Sequence, residues 1–161
     1  MNKQDSRNIK FELLIEQQLK EINRKKIGFF IKSPTPIKKV TIKKKEKYVY
    51  YQKALCDFIG ILNKKFILLE LKDISSNNFE LRRLKEHQIN QLVKIRKLGG
   101  ESFLLFRLKK ENNLIIIIRI FDYLNLIELN DKKSINMQKI KQIGYKTNLN
   151  EFIPFFIQLI N

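Results

Sequence analysis

Residues 57–72, DFIGILNKKFILLELK, leave the chain few ways to fold. Two runs of Phe, Ile and Leu flank Asn63-Lys64-Lys65, a gap that fits a tight turn between paired strands. Asp57–Leu62 and Phe66–Lys72 therefore read as a hairpin. The ends of this hairpin do not suit a core, because Asp57 opens the first strand and Glu70 and Lys72 stand near the end of the second. A turn at 63–65 brings Asp57 within one residue of the position opposite Glu70. Glu70 and Lys72 are two apart and share a face of their strand. Metal-assisted hydrolysis of a phosphodiester needs hard oxygen ligands for Mg²⁺ and a group that orients water or screens transition-state charge. Two carboxylates and an ammonium on one patch supply both. The plainer reading of Glu70 and Lys72 is a same-face ion pair worth under about 1 kcal/mol.

Charge narrows the partner. The chain carries 33 Lys+Arg against 16 Asp+Glu, formally +17, which calls for a polyanion. Nucleic acid comes first, since phosphate neutralisation supplies much of non-specific affinity. A ribosomal or membrane-surface protein fits the composition as well. With 161 residues, 43% of them hydrophobic, the chain is expected to form one domain around a real core. The longest apolar run, Leu114–Ile118, suits a buried strand and not a membrane span. The opening MNKQDSRNIKFELL lacks the apolar core and cleavage site of a secretory signal, so a cytoplasmic protein is expected. One Cys and one His exclude a disulfide framework and a His/Cys zinc site.

Along the chain, Phe11, Leu14, Ile15, Leu19 and Ile22 recur at helical spacing and predict a helix over about Ser6–Asn23. IGFFIK reads as a strand, stopped by Pro34 and Pro36. IKKVTIKKKEKYVYYQKAL reads as two extended arms joined at KKKEK. After the hairpin come a polar loop, DISSNNF, and a helix over ELRRLKEHQINQLVKIRKL that Gly99-Gly100 stops. SFLLFRL and NLIIIIRI predict paired strands, and FDYLNLIEL a short helix. A polar connector follows, then a closing helix in NEFIPFFIQLI, broken or begun near Pro154 and assigned to the core or a dimer interface. This order describes an α/β domain around one mixed sheet.

The spacing Asp57, about a dozen residues, then Glu70-x-Lys72 resembles the PD-(D/E)xK nuclease superfamily. FE in the first helix, IKSPTPIKKV, CDFIGILNKKFILLELK, HQINQLVKIRKLGGESFLLF and YKTNLNEFIPFFIQLI follow in the order of the RecU family, over nearly the whole chain. That resemblance implies a restriction-endonuclease-like mixed central sheet flanked by helices, in a single domain over residues 1–161. A β-stalk inserted at about 33–55 would protrude from it. It also implies a homodimeric endonuclease that resolves four-way (Holliday) DNA junctions by paired symmetric nicks in recombination and repair. Hydrolysis would run by in-line attack of water, leaving 5′-phosphate and 3′-hydroxyl ends.

In residues, Asp57 and Glu70 match the family's Mg²⁺ or Mn²⁺ ligands, with the backbone carbonyl of Leu71 completing the set. Lys72 matches the catalytic lysine, Gln88 a residue orienting phosphate or water, and Glu12 an acidic residue adding a direct or outer contact. His87, beside Gln88, reads as structural. DNA contacts are implied for Lys32 and Thr35 at the stalk base and for Lys38, Lys39, Lys43, Lys44, Lys45 and Lys47. Tyr50 matches an aromatic that stacks on an unpaired base. The expected partners are branched DNA, a second copy of the chain and recombination proteins at the nucleoid, with no membrane. Two departures stand out. Leu55-Cys56-Asp57 replaces the family's Thr-Thr-Asp, and the stretch from Val40 to Asp57 is short, giving a stubby stalk. Two other readings stay open: a different PD-(D/E)xK endonuclease acting on duplex DNA, and a branched-DNA-binding protein with weak or no cleavage.

Overall fold

The computed structural model describes residues 3–34, 37–42, 45–50, 54–130 and 132–161, without the side chains of 3–10, 37, 38, 42, 45, 46, 49 and 50. Helix α1 (Lys3–Arg24) leads into β1 (Gly28–Lys32), then β2 (Ile37–Ile42) and β3 (Lys45–Tyr50). The hairpin follows as β4 (Phe58–Leu62) and β5 (Lys65–Ile74). After β6 (Asn78–Glu80) come α2 (Glu86–Lys97), β7 (Glu101–Leu108) and β8 (Leu114–Arg119). The chain finishes with α3 (Ile120–Glu128), β9 (Ser134–Asn136), α4 (Met137–Ile143), β10 (Tyr145–Thr147) and α5 (Phe152–Ile160).

The main sheet has the order β1-β4-β5-β7-β8-β10. Its β5–β7 pair is parallel and every other pair antiparallel, which makes it the expected mixed sheet. Alternation along the strands builds two cores. On one face, Phe11, Ile15, Leu19 and Ile22 of α1 and Phe152, Phe156 and Ile160 of α5 cover Leu69, Leu71, Phe103 and Leu105. On the other, Leu92 of α2, Tyr123 of α3 and Ile140 of α4 cover Leu68, Leu104, Phe106, Ile116 and Ile118. The Phe-rich tail is thus core. Its Pro154 falls in the first turn of α5, where a missing N–H costs nothing.

Among the described residues, strands β2 and β3 pair with each other in a two-stranded ribbon of their own. Their register joins Ile42 to Lys45, so Lys45, Glu46 and Lys47 of the expected KKKEK link belong to β3, while Lys43 and Lys44 lie outside the described residues.

Several expectations need correction. The hairpin turn has two residues, not three: Asn63 (φ 49°) and Lys64 (φ 62°) both adopt the left-handed region, as the turn matched to strand twist requires. The polar loop after the hairpin is shorter than expected, because Asp73 and Ile74 complete β5 and Asn78–Glu80 pair with β9. The helix expected over 80–98 spans Glu86–Lys97. Pairing of Glu80 with Ser134 and the extended backbone at Leu84 and Lys85 hold the preceding residues out of it, leaving one 3₁₀ turn at Leu81–Arg83. Gly99, at φ 88°, ends α2 as expected. The polar connector contains β9, α4 and β10, elements too short to impose a hydrophobic period on the sequence.

Candidate active site

Register builds the site. With Phe58 paired to Leu69 and Leu62 to Lys65, the same register carried one step past the ladder sets Asp57 across from Glu70. The two-residue turn therefore brings the carboxylates a step closer than the three-residue turn the sequence suggests. Asp57 Oδ2 accepts the Leu71 N–H at 2.6 Å. On an antiparallel strand a residue's C=O points to the same side as its N–H, so the Leu71 carbonyl also faces the Asp57 edge.

Glu70 is buried on the α2 side of β5, 1% exposed. Its Oε1 accepts two charge-ordering bonds, from Lys72 Nζ at 2.6 Å and from Gln88 Nε2 at 2.6 Å. Gln88 is placed by its helix: its Oε1 accepts the Lys85 N–H at 3.0 Å, capping α2, and lies 3.5 Å from Lys72 Nζ. Glu70 Oε2, by contrast, is buried with no hydrogen-bond partner among the described residues. A buried carboxylate oxygen in that state is costly unless something else satisfies it. Glu101 Oε2 has no hydrogen bond either, but Arg119 Nε faces it at 3.8 Å.

Electrostatics point the same way. Burial, then the neighbouring Glu70, pushes the Asp57 carboxyl up to about 8, against the Leu71 N–H that favours its charged form. Burial likewise raises Glu70 above the usual carboxylate range, with Lys72 opposing. Two crowded carboxylates with spare lone pairs fit a hard divalent cation. Among the described residues no three His, Cys, Asp or Glu side chains converge on one point. The oxygens that could meet a cation here are the two carboxylates and the Leu71 carbonyl, a sparse set of the kind that leaves places for waters and substrate phosphates.

Glu12 lies at the rim, its Oε2 2.8 Å from Lys32 Nζ, and its charge reaches both Asp57 and Glu70. The Glu12 bond, aided by the charges of Glu16 and Asp57, holds the Lys32 ammonium above its ordinary range. His87 is half-buried in the first turn of α2. The Cys56 thiol is buried and donates to the Phe58 carbonyl at 3.0 Å, and desolvation pushes it up, away from any nucleophilic role.

Of the residues expected to touch DNA, Thr35, Lys43 and Lys44 lie outside the described residues, as do the side chains of Lys38, Lys45 and Tyr50. Lys39 and Lys47 are exposed on the ribbon. Lys39 stands opposite Tyr48, whose ring is 74% exposed. Tyr48 was not among the sequence candidates. A cluster of buried Asp73 and Arg107 with half-buried Lys109 was missed too. Its signal was an Arg inside SFLLFRL, an otherwise apolar run.

Fold and site define a class: an α/β domain whose mixed sheet presents Asp, Glu and Lys on neighbouring strands of a hairpin. The family model for recombination protein U matches residues 6–161, and the chain belongs to that family. It is 30% identical to the Holliday junction resolvase RecU of Mycoplasmopsis pulmonis, over 97% of both chains. It is 29% identical to the Holliday junction resolvase RecU of Pediococcus pentosaceus, over 88% of this chain and 78% of that one. Among solved structures, the Holliday junction resolvase Hjc of Archaeoglobus fulgidus aligns with a TM-score of 0.49 at 14% identity, covering 83% of this chain and 93% of that one.

Proposed function

We propose that this chain is a divalent-metal-dependent endonuclease that resolves four-way DNA junctions by paired symmetric nicks. The observation that carries this reading is the half-satisfied carboxylate pair beside Lys72, in a chain whose relatives are named Holliday junction resolvases. Asp57, Glu70 Oε2 and the Leu71 carbonyl would hold Mg²⁺ or Mn²⁺. Bound there, the cation would polarise the scissile phosphate and favour ionisation of water. Gln88 and Lys72 both bind Glu70 Oε1, which leaves Oε2 free to serve as a ligand. The Lys72 ammonium is positioned to screen charge on the pentavalent transition state. Lys32, where β1 leads toward the ribbon, offers a cation to a phosphate entering past Glu12. The ribbon, with Lys39, Lys47 and Tyr48 exposed, is the part suited to the centre of a junction.

Paired nicks need two active sites, and a two-fold dimer provides them. A bare apolar sheet face supports such pairing: Phe29 and Ile31 of β1, Ile61 of β4 and Phe66 of β5 are exposed side by side. The edge of β1 at Phe30 is closed by Asn23. The Asn23 side chain both donates to the Phe30 carbonyl and accepts its N–H, each at 2.7 Å. Packing face to face is then open to a second copy, and strand addition at Phe30 is not. Action on DNA implies the cytoplasm as the place of work. Among the described residues no helix is long and apolar enough to cross a membrane.

Cleavage of an end-labelled four-way junction beside a matched linear duplex, in Mg²⁺, Mn²⁺ or EDTA, tests the reading. Symmetric nicks in the junction, abolished by EDTA, are the expected result. Equal cutting of the duplex would move the protein to a general endonuclease. Tight junction binding without cutting would make it a branched-DNA-binding protein.

A further inference from the structure

The face of β5 opposite the carboxylate pair carries a second charged cluster that the reaction above does not use. Asp73, one residue past Lys72, turns toward α1. Its side chain is 2% exposed and that of Arg107 3%. The two stand directly opposite in the parallel β5–β7 register. Arg107 engages Asp73 with both arms of its fork, Nε donating to Oδ1 at 2.9 Å and Nη2 to Oδ2. Lys109 Nζ lies 3.0 Å from Oδ2, and Arg83 Nη2 donates to the Asp73 carbonyl at 2.9 Å. The Arg107 guanidinium also lies over the ring of Phe11, 4.8 Å from its centroid. Phe11 is the residue before Glu12 on α1.

The location of this cluster matters. Pairing of β4 with β5 stops at Leu69, whereas pairing of β7 with β5 continues to Ile74. Beyond Leu69 the strand that carries Glu70, Leu71 and Lys72 pairs with β7 on one edge, and on the other the Asp57 carboxylate accepts the Leu71 N–H. Apolar contacts tolerate a small slide of such a strand, but a planar bidentate fork accepts one alignment. Stability alone does not call for the pair, because a buried ion pair is often no better than apolar side chains of the same volume. The surrounding residues on this face, Leu71, Leu105 and Phe11, would accept such a replacement.

We propose that Asp73 and Arg107 are positioning residues for the nuclease site. Arg107 fixes the end of β5 against β7 and α1, and so sets the depth at which Glu70 and Lys72 meet Asp57 and Glu12. This rests on the nuclease reading, and the test separates the two. The variants are Arg107→Lys, which keeps the charge and loses the fork, and the volume-matched double variant Asp73→Leu with Arg107→Met. Each is compared with the wild type for urea midpoint, junction affinity, Mn²⁺ affinity by calorimetry and single-turnover cleavage at saturating metal. In the double variant the midpoint and junction affinity stay near wild type. Cleavage falls about 10- to 100-fold and Mn²⁺ binding weakens by a similar factor. Arg107→Lys moves both in the same direction by less. A folded double variant that cuts and binds Mn²⁺ within twofold of wild type overturns the proposal. Should the double variant not fold, a folded Arg107→Lys with wild-type cleavage and Mn²⁺ affinity overturns it equally. A wild type that binds Mn²⁺ but cuts no junction defeats the nuclease reading instead, and the Mn²⁺ affinities still decide the positioning role.

Discussion

Strand β5 buries two carboxylates within four residues, on opposite faces, and treats them differently. Asp73 is saturated: both of its oxygens receive donors from Arg107, and Lys109 adds a third cation contact. Glu70 is served at Oε1 by Lys72 and Gln88 and left without a partner at Oε2 among the described residues. It also faces another carboxylate across the hairpin, that of Asp57, whose carboxyl burial and Glu70 together push up. Equal burial therefore does not mean equal purpose. A saturated buried charge is a structural joint, while one with an unused lone pair and a like-charged neighbour holds room for a cation.

The comparison breaks most sharply under mutation of the unsaturated side. Asp57→Asn or Glu70→Gln lowers junction cleavage by at least about 10²- to 10³-fold, since either removes a charge the transition state depends on. Junction binding, read by gel shift in EDTA, persists in both because the basic surface is untouched. On the saturated side the loss is of stability. Arg107→Met alone leaves the Asp73 carboxylate buried without its bidentate partner, and a drop of about 3–5 kcal/mol in urea denaturation is expected.

Intermediate effects sharpen the contrast. Gln88→Ala removes a bond to Glu70 and the cap on the Lys85 N–H, which costs about 1–2 kcal/mol in stability and about tenfold in cleavage. Tyr48→Ala leaves cleavage chemistry alone and weakens junction affinity by about 1–3 kcal/mol if the exposed ring stacks on a base, with linear duplex affinity unchanged.

A last effect concerns pH. The folded state holds the Asp57 proton more tightly than the unfolded chain, its carboxyl being raised from 3.8 to about 8. That contribution is complete below about pH 4 and is lost as pH rises through about 8. Thermal unfolding in EDTA should show stability from this group falling across that window. In Asp57→Asn the fall flattens, because the amide has no proton to lose.

The sequence reveals the hairpin, the mixed sheet and the Asp57, Glu70 and Lys72 constellation because each depends on local spacing. Strand alternation puts Glu70 and Lys72 on one face, and a short turn brings Asp57 across. The exact turn was hidden, since Asn63, Lys64 and Lys65 all look like turn residues and only the observed pairing of Leu62 with Lys65 selects two of them. The helix start was hidden for a different reason. Leu84 continues an apolar period, yet the pairing of β6 with β9, distant in sequence, pulls the segment before it into an extended path. The Asp73–Arg107 pair joins residues 34 apart in sequence through a parallel register that no local pattern specifies. For the same reason the bare face of Phe29, Ile31, Ile61 and Phe66 emerges only once the strand order is known.

The account stands on Glu70 Oε2 being a place for a cation. Calorimetric titration of the DNA-free protein with Mn²⁺ tests this most directly, with Glu70→Gln and Asp57→Asn measured beside the wild type. One Mn²⁺ bound per chain, lost in both variants, is the predicted result. No binding to the wild type, or binding undiminished in both variants, would contradict it.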